Sequence, residues 1–144
     1  MDWRDPDWLK DAHSWIRVHV PGTVIEPIEQ PHLYPWATVL RVPTSGGVAW
    51  FKANAPIQRY EAALVLELVD VVPELIVELV AVDVDRGWLL MRDAGRRLRE
   101  LVAGAEQIKH WLAILPRYAE LQLLLPLSSN GSWRSASRTN ASGN

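Results

Sequence analysis

The fold turns on Val48-Ala49-Trp50-Phe51-Lys52-Ala53, followed by Asn54-Ala55-Pro56-Ile57-Gln58-Arg59-Tyr60-Glu61. The first six residues are apolar except for one lysine, and they read as a β-strand. Alternation sets Val48, Trp50 and Lys52 on one face and Ala49, Phe51 and Ala53 on the other. The chain has only three lysines against twelve arginines. A lysine in an apolar strand is costly unless its charge is paired or its head reaches water. Pro56 then suits the first turn of a helix, predicted to run to about Val69. On that helix Ile57, Glu61, Leu64, Val65 and Leu68 share one stripe. A carboxylate on a core-facing stripe calls for a cation. Alone, Lys52 can be an edge residue snorkelling to solvent and Glu61 a stripe-edge glutamate. Together, a strand lysine, a short Pro-containing link and a helix carboxylate allow the helix to fold back and pair the two charges.

Working outward, Trp36 to Val42 alternates, with Trp36, Thr38, Leu40 and Val42 on one side. Thr44-Ser45-Gly46-Gly47 is a hairpin turn joining it to the lysine strand. Thr23 to Ile28 reads as the first strand, and Glu29 to Pro35, with two prolines, as a loop. Upstream, Asp5-Pro6 caps and starts a helix on which Trp8, Leu9, Ala12, Trp15, Ile16 and His19 recur at helical spacing. Downstream, Ile76 to Val84 and Trp88 to Arg92 are two strands joined by Asp85-Arg86-Gly87. Leu98 to Val102 is a short helix. Glu106 to about Leu125 is a longer one, which Pro116 should kink or split. The predicted class is α+β: a five-stranded antiparallel sheet with one inserted helix, an N-terminal helix and C-terminal helices. Residues 1–95 form one lobe, 96–127 a helical segment and 128–144 a Ser/Asn-rich tail predicted to be disordered.

Composition excludes several functions. The 144 residues carry a net charge of −2, which offers no electrostatic footprint for nucleic acid or an anionic membrane. With no cysteine, disulfides and thiolate chemistry are ruled out. The charged N-terminus is no secretory signal, and acidic residues interrupt every long apolar run, so a cytoplasmic protein is expected. The sequons Asn130-Gly131-Ser132 and Asn140-Ala141-Ser142 therefore carry no meaning. His13, His19 and His32 have no metal-site spacing. Asp83 and Asp85 sit beside a glycine turn and read as a solvated hairpin tip.

The lysine strand with its preceding hairpin, the segment Arg59-Tyr60-Glu61-Ala62-Ala63-Leu64, and Leu89-Leu90-Met91-Arg92-Asp93-Ala94-Gly95 occur in the order found in the aminoglycoside-phosphotransferase and choline-kinase-like family. From about Asp7 to Leu125 the chain resembles the start of such a kinase-like protein. The resemblance implies a nucleotide-binding N-terminal lobe in which Lys52, held by Glu61, grips the α- and β-phosphates of ATP. It implies that Met91 stands behind the adenine and that the backbone of Arg92 and Ala94 bonds its edge. There are departures. Glu29-Gln30-Pro31-His32-Leu33-Tyr34-Pro35 stands where protein kinases have a glycine-rich loop. Trp50 stands where they have a small residue over the adenine.

No aspartate follows Asp93, and His110, the only later histidine, lies in a helical pattern. The catalytic aspartate, its partner asparagine and the second Mg²⁺-binding aspartate are missing, and so are the Mg²⁺ sites. The expectation is a truncated, catalytically incompetent nucleotide-binding lobe whose full-length parent phosphorylates a small-molecule acceptor. Two alternatives are a non-catalytic nucleotide-sensing or protein-interaction module and an unrelated α+β domain. Apolar surface meant for a second lobe should be exposed and favour self-association.

Overall fold

The computed structural model describes residues 2–102 and 104–128. The tail predicted over 128–144 lies, beyond Ser128, outside the described residues. The chain divides into two compact units at Gly95/Arg96. In the first, helix α1 (Pro6–His19) leads to strands β1 (Glu29–Leu33), β2 (Ala37–Thr44) and β3 (Gly47–Asn54). Helix α2 (Tyr60–Val71) and strands β4 (Leu79–Asp83) and β5 (Trp88–Arg92) follow. The second unit holds α3 (Leu98–Leu101) and α4 (Ala105–Ser128). The class is α+β, and the five strands form an antiparallel sheet in the order β1-β2-β3-β5-β4.

Helix α1 starts where the sequence sets its cap. Asp5 Oδ1 accepts the backbone N–H groups of Asp7 and Trp8, both at 2.9 Å, and Pro6 occupies the first turn. The buried face of α1, Ala12, Trp15 and Ile16, packs on one face of the sheet with Leu40, Val42, Ala49, Phe51, Ala53, Trp88 and Leu90. Rings dominate this core. Phe51, Trp15 and Trp88 lie 5.4–5.8 Å apart by ring centroids, each pair steeply inclined, the arrangement aromatic quadrupoles favour. Arg86 stacks on Trp88, 4.1 Å from its ring centroid. The same guanidinium reaches Asp83 at 2.6 Å and Asp11 at 3.1 Å, tying the β4–β5 turn to α1. Burial disfavours the charge on Asp83, but the bonds from Arg86 outweigh it and hold the carboxyl below its ordinary value.

Three sequence expectations need correction. The first strand is Glu29–Leu33, not Thr23 to Ile28, where Val24 makes only an isolated bridge to Thr44. Pro31 is tolerated because β1 is an edge strand that leaves one row of backbone groups unpaired. The inserted helix begins later than Pro56. A 3-10 turn over Pro56–Gln58 comes first, with Ile57 81% exposed, and only then α2. Ala62 is the buried residue of α2, while Leu64, Val65 and Leu68 are half-buried. Of the kink or break expected at Pro116, the break does not occur: α4 runs across it without interruption. The carbonyl it leaves without a donor belongs to Leu112, itself well exposed, so water can satisfy it.

Gly87 packs against the start of α2. Its φ of 70° is open to glycine, and a Cβ there would lie 3.1 Å from Arg59 Cγ and 3.2 Å from Arg59 Cα. The β4–β5 turn thus abuts the residue just before α2. The backbone N–H of Asn54, at the end of β3, donates to the Gly87 carbonyl at 3.1 Å.

Candidate functional site

The face of the sheet turned away from α1 carries the unusual chemistry. Register sets Val39, Lys52, Leu89 and Val82 side by side across β2, β3, β5 and β4, with His32 of β1 opposite Val39. One row over, Arg41, Trp50, Met91 and Leu79 stand in line. Lys52 therefore projects between Val39 and Leu89, neither of which can balance its charge.

Glu61 supplies the balance. In the first turn of α2 its Oε1 accepts from Lys52 Nζ at 2.5 Å, and the two side chains are 27% and 32% exposed. The two residues meet as the sequence led us to expect. The route is short: β3 ends at Asn54, the 3-10 turn follows, and α2 returns over the lysine. A pair this sheltered is screened less than a surface pair. It fixes an ammonium group on a rigid strand, where it can meet an anion.

Met91 lies directly across from Trp50, on the Lys52 face. Arg92, whose backbone the resemblance sets at the adenine edge, ends β5. Its N–H donates to the Glu78 carbonyl at 2.9 Å, and its guanidinium pairs with the Glu78 carboxylate at 2.7 Å. Extending β5 to the edge strand consumes that donor, so only the Arg92 carbonyl can serve a ligand without breaking the bond. Ala94 follows in the irregular link after β5 and is exposed.

Three features were not foreseen. Trp50 Nε1 donates to Asp93 Oδ1 at 2.9 Å, joining β3 to the residue after β5. At the β1–β2 turn, His32, Tyr34 and Trp36 form a near-parallel ladder with centroid spacings of 6.1 and 5.4 Å. The abundance of tryptophan was the only sequence signal for either. Third, the Asn54 side chain, two residues after Lys52 on the same face, is buried with no protein partner for its Nδ2 or Oδ1.

The β1–β2 turn is poor in main-chain donors. Pro31 and Pro35 have no N–H, and the N–H of Tyr34 closes the turn onto the Ala37 carbonyl at 2.9 Å. Among the described residues no group of three or more His, Asp or Glu side chains could hold a metal ion, and no helix is long and apolar enough to cross a membrane. No family model matches the chain, and neither the curated proteins nor the solved structures yield a match.

Proposed function

We propose that residues 1–95 form a kinase-like nucleotide-binding lobe, of the kind used by cytoplasmic ATP-dependent small-molecule phosphotransferases. The observation that carries this is the Lys52–Glu61 ion pair on the sheet face opposite α1. A strand ammonium steadied by a helix carboxylate is how such lobes hold the α- and β-phosphates. The strand order, with β3 at the centre beside β5, supports the same reading, because the link after β5 then starts next to the lysine strand.

Lys52 would meet the phosphates as a point charge, and Glu61 would keep its ammonium aimed. Mg²⁺ does not fit these residues: no aspartate follows Asp93, and among the described residues no group of three or more acidic or histidine side chains stands beside Lys52. Within these 144 residues the chain binds nucleotide and does not transfer phosphoryl. The acceptor of any transfer belongs to a small-molecule site that this lobe does not supply.

The test is binding of a fluorescent ATP analogue. The wild-type chain should bind. Lys52→Ala should abolish binding, and Glu61→Gln should weaken it by roughly tenfold through loss of the partner charge. Equal binding by all three proteins would refute the site.

One observation favours a second reading, a protein-interaction module. Helix α4 exposes Ile108, Trp111, Leu112, Leu115 and Tyr118, more apolar side chain than a solvated helix carries. Self-association through α4 would appear as concentration-dependent sedimentation, abolished by Leu112→Glu and Leu115→Glu together.

A further inference from the structure

Resting on the nucleotide-lobe reading, we propose that the Trp50 indole occupies the place a nucleotide base would take, so that the site reads the phosphate chain and is indifferent to the base.

Two observations converge. First, Trp50 projects from the same face as Lys52, one row nearer the end of β5. It stands opposite Met91, as Lys52 stands opposite Leu89. Met91 is the residue that the family resemblance sets behind the adenine. Second, the ring is held down at its far end. Alternation from Met91 puts Asp93 on this face, diagonal to Trp50, and the indole Nε1 donates to Asp93 Oδ1 at 2.9 Å. Anchored at its Cβ on β3 and at its N–H beyond β5, the ring bridges the two strands over the stretch a base would cover. A neutral donor on a carboxylate makes a charge-assisted bond.

The chain thus supplies its own planar ring and its own hydrogen bond at the base position. The Lys52 ammonium, one row away, remains on the open side of the sheet with Glu61. A ligand that binds there gains from its phosphates and little from its base. The ligand class is a linear polyphosphate or any nucleoside triphosphate. Opening the base position requires the indole to leave Asp93.

The experiment displaces a ribose-labelled fluorescent ATP analogue from the full chain with unlabelled ATP and with tripolyphosphate. The two competitors should be equal within about threefold for the wild type. In Trp50→Val, ATP should gain about tenfold over tripolyphosphate, as a vacated face lets the base stack. Asp93→Ala, which releases the ring without altering β3, should shift the ratio the same way by about threefold. It also keeps the test valid if Trp50→Val fails to give a folded circular dichroism spectrum.

Two results overturn the proposal while sparing the nucleotide site. In one, the wild type prefers ATP by about tenfold and Trp50→Val loses the preference, so the indole stacks on a base rather than replacing it. In the other, both variants leave the ratio unchanged. Absence of any binding to the wild type and both variants overturns the proposal and the nucleotide site together.

Discussion

The two faces of one sheet are built on opposite principles. The face toward α1 buries Leu40, Val42, Phe51, Trp88 and Leu90 against Trp15 and Ile16. At its border Arg86 lies on Trp88 with two carboxylates around it. The other face carries Lys52, Trp50 and Asn54 in alternate positions of β3 and is covered only in part, by a helix whose buried residue is Ala62. Strand β3 serves both faces, with Phe51 turned one way and Lys52 the other. The comparison teaches that rigidity is generated on the first face and spent on the second. A charged pair can be held in fixed geometry because the strand beneath it is locked from behind.

The largest test of this division is to empty the locked face. Phe51→Ala removes a fully buried ring in contact with Trp15 and Trp88. It should cost about 3–5 kcal/mol, a large share of the roughly 5–15 kcal/mol that holds a domain together. Urea denaturation should show the loss as a lowered midpoint at unchanged slope. If Phe51→Ala cost no more than a surface change, the ring cluster would not be the source of the lobe's order.

The second test asks whether the open face tolerates polarity only for a purpose. The Asn54 side chain is buried without protein partners, and such a group carries a desolvation cost. Asn54→Leu, of similar shape, should raise stability by about 1 kcal/mol. A loss of that size would mean that the amide is satisfied by bound water and belongs to the architecture.

The smallest expected effect comes from protons. His13 on α1 has its pKa pushed below the ordinary 6.5 by burial and by Arg17, against a weaker opposing pull from Glu26. The unfolded chain therefore takes up this proton before the folded chain does. Stability should be complete above pH 6.5 and decline as pH falls toward the depressed folded value. Asp83, whose folded pKa is also lowered, adds a loss in the same direction below its ordinary 3.8. Thermal melts of wild type and His13→Gln between pH 7.5 and pH 5 should diverge, with the variant flatter. Parallel curves would remove His13 from the account.

The hairpin of β2 and β3 was legible because alternation and a glycine turn act over neighbouring residues. Trp88 to Arg92 was legible for the same reason, and its span agrees with β5. The Lys52–Glu61 contact was legible because the two lie close in sequence and each looked out of place alone. What escaped was non-local. Trp50 meets Asp93 only because β5, rather than β4, lies beside β3, and strand order leaves little trace in residue pattern. The first strand escaped because its proline argued against it, whereas an edge position removes the penalty. The late start of α2 escaped because Pro56 serves a 3-10 turn as well as it serves an α-helix.

Gly87 gives the lobe an adjustment point outside the site. Where other residues carry a first side-chain carbon, this turn has only hydrogen, and that gap is what lets Arg59 settle against it. A methyl group there would crowd Arg59, two residues before Glu61, and the side chain or backbone of Arg59 would have to give way by a few tenths of an ångström. The hairpin thus bears on the start of the helix that presents the carboxylate, while carrying neither charge itself.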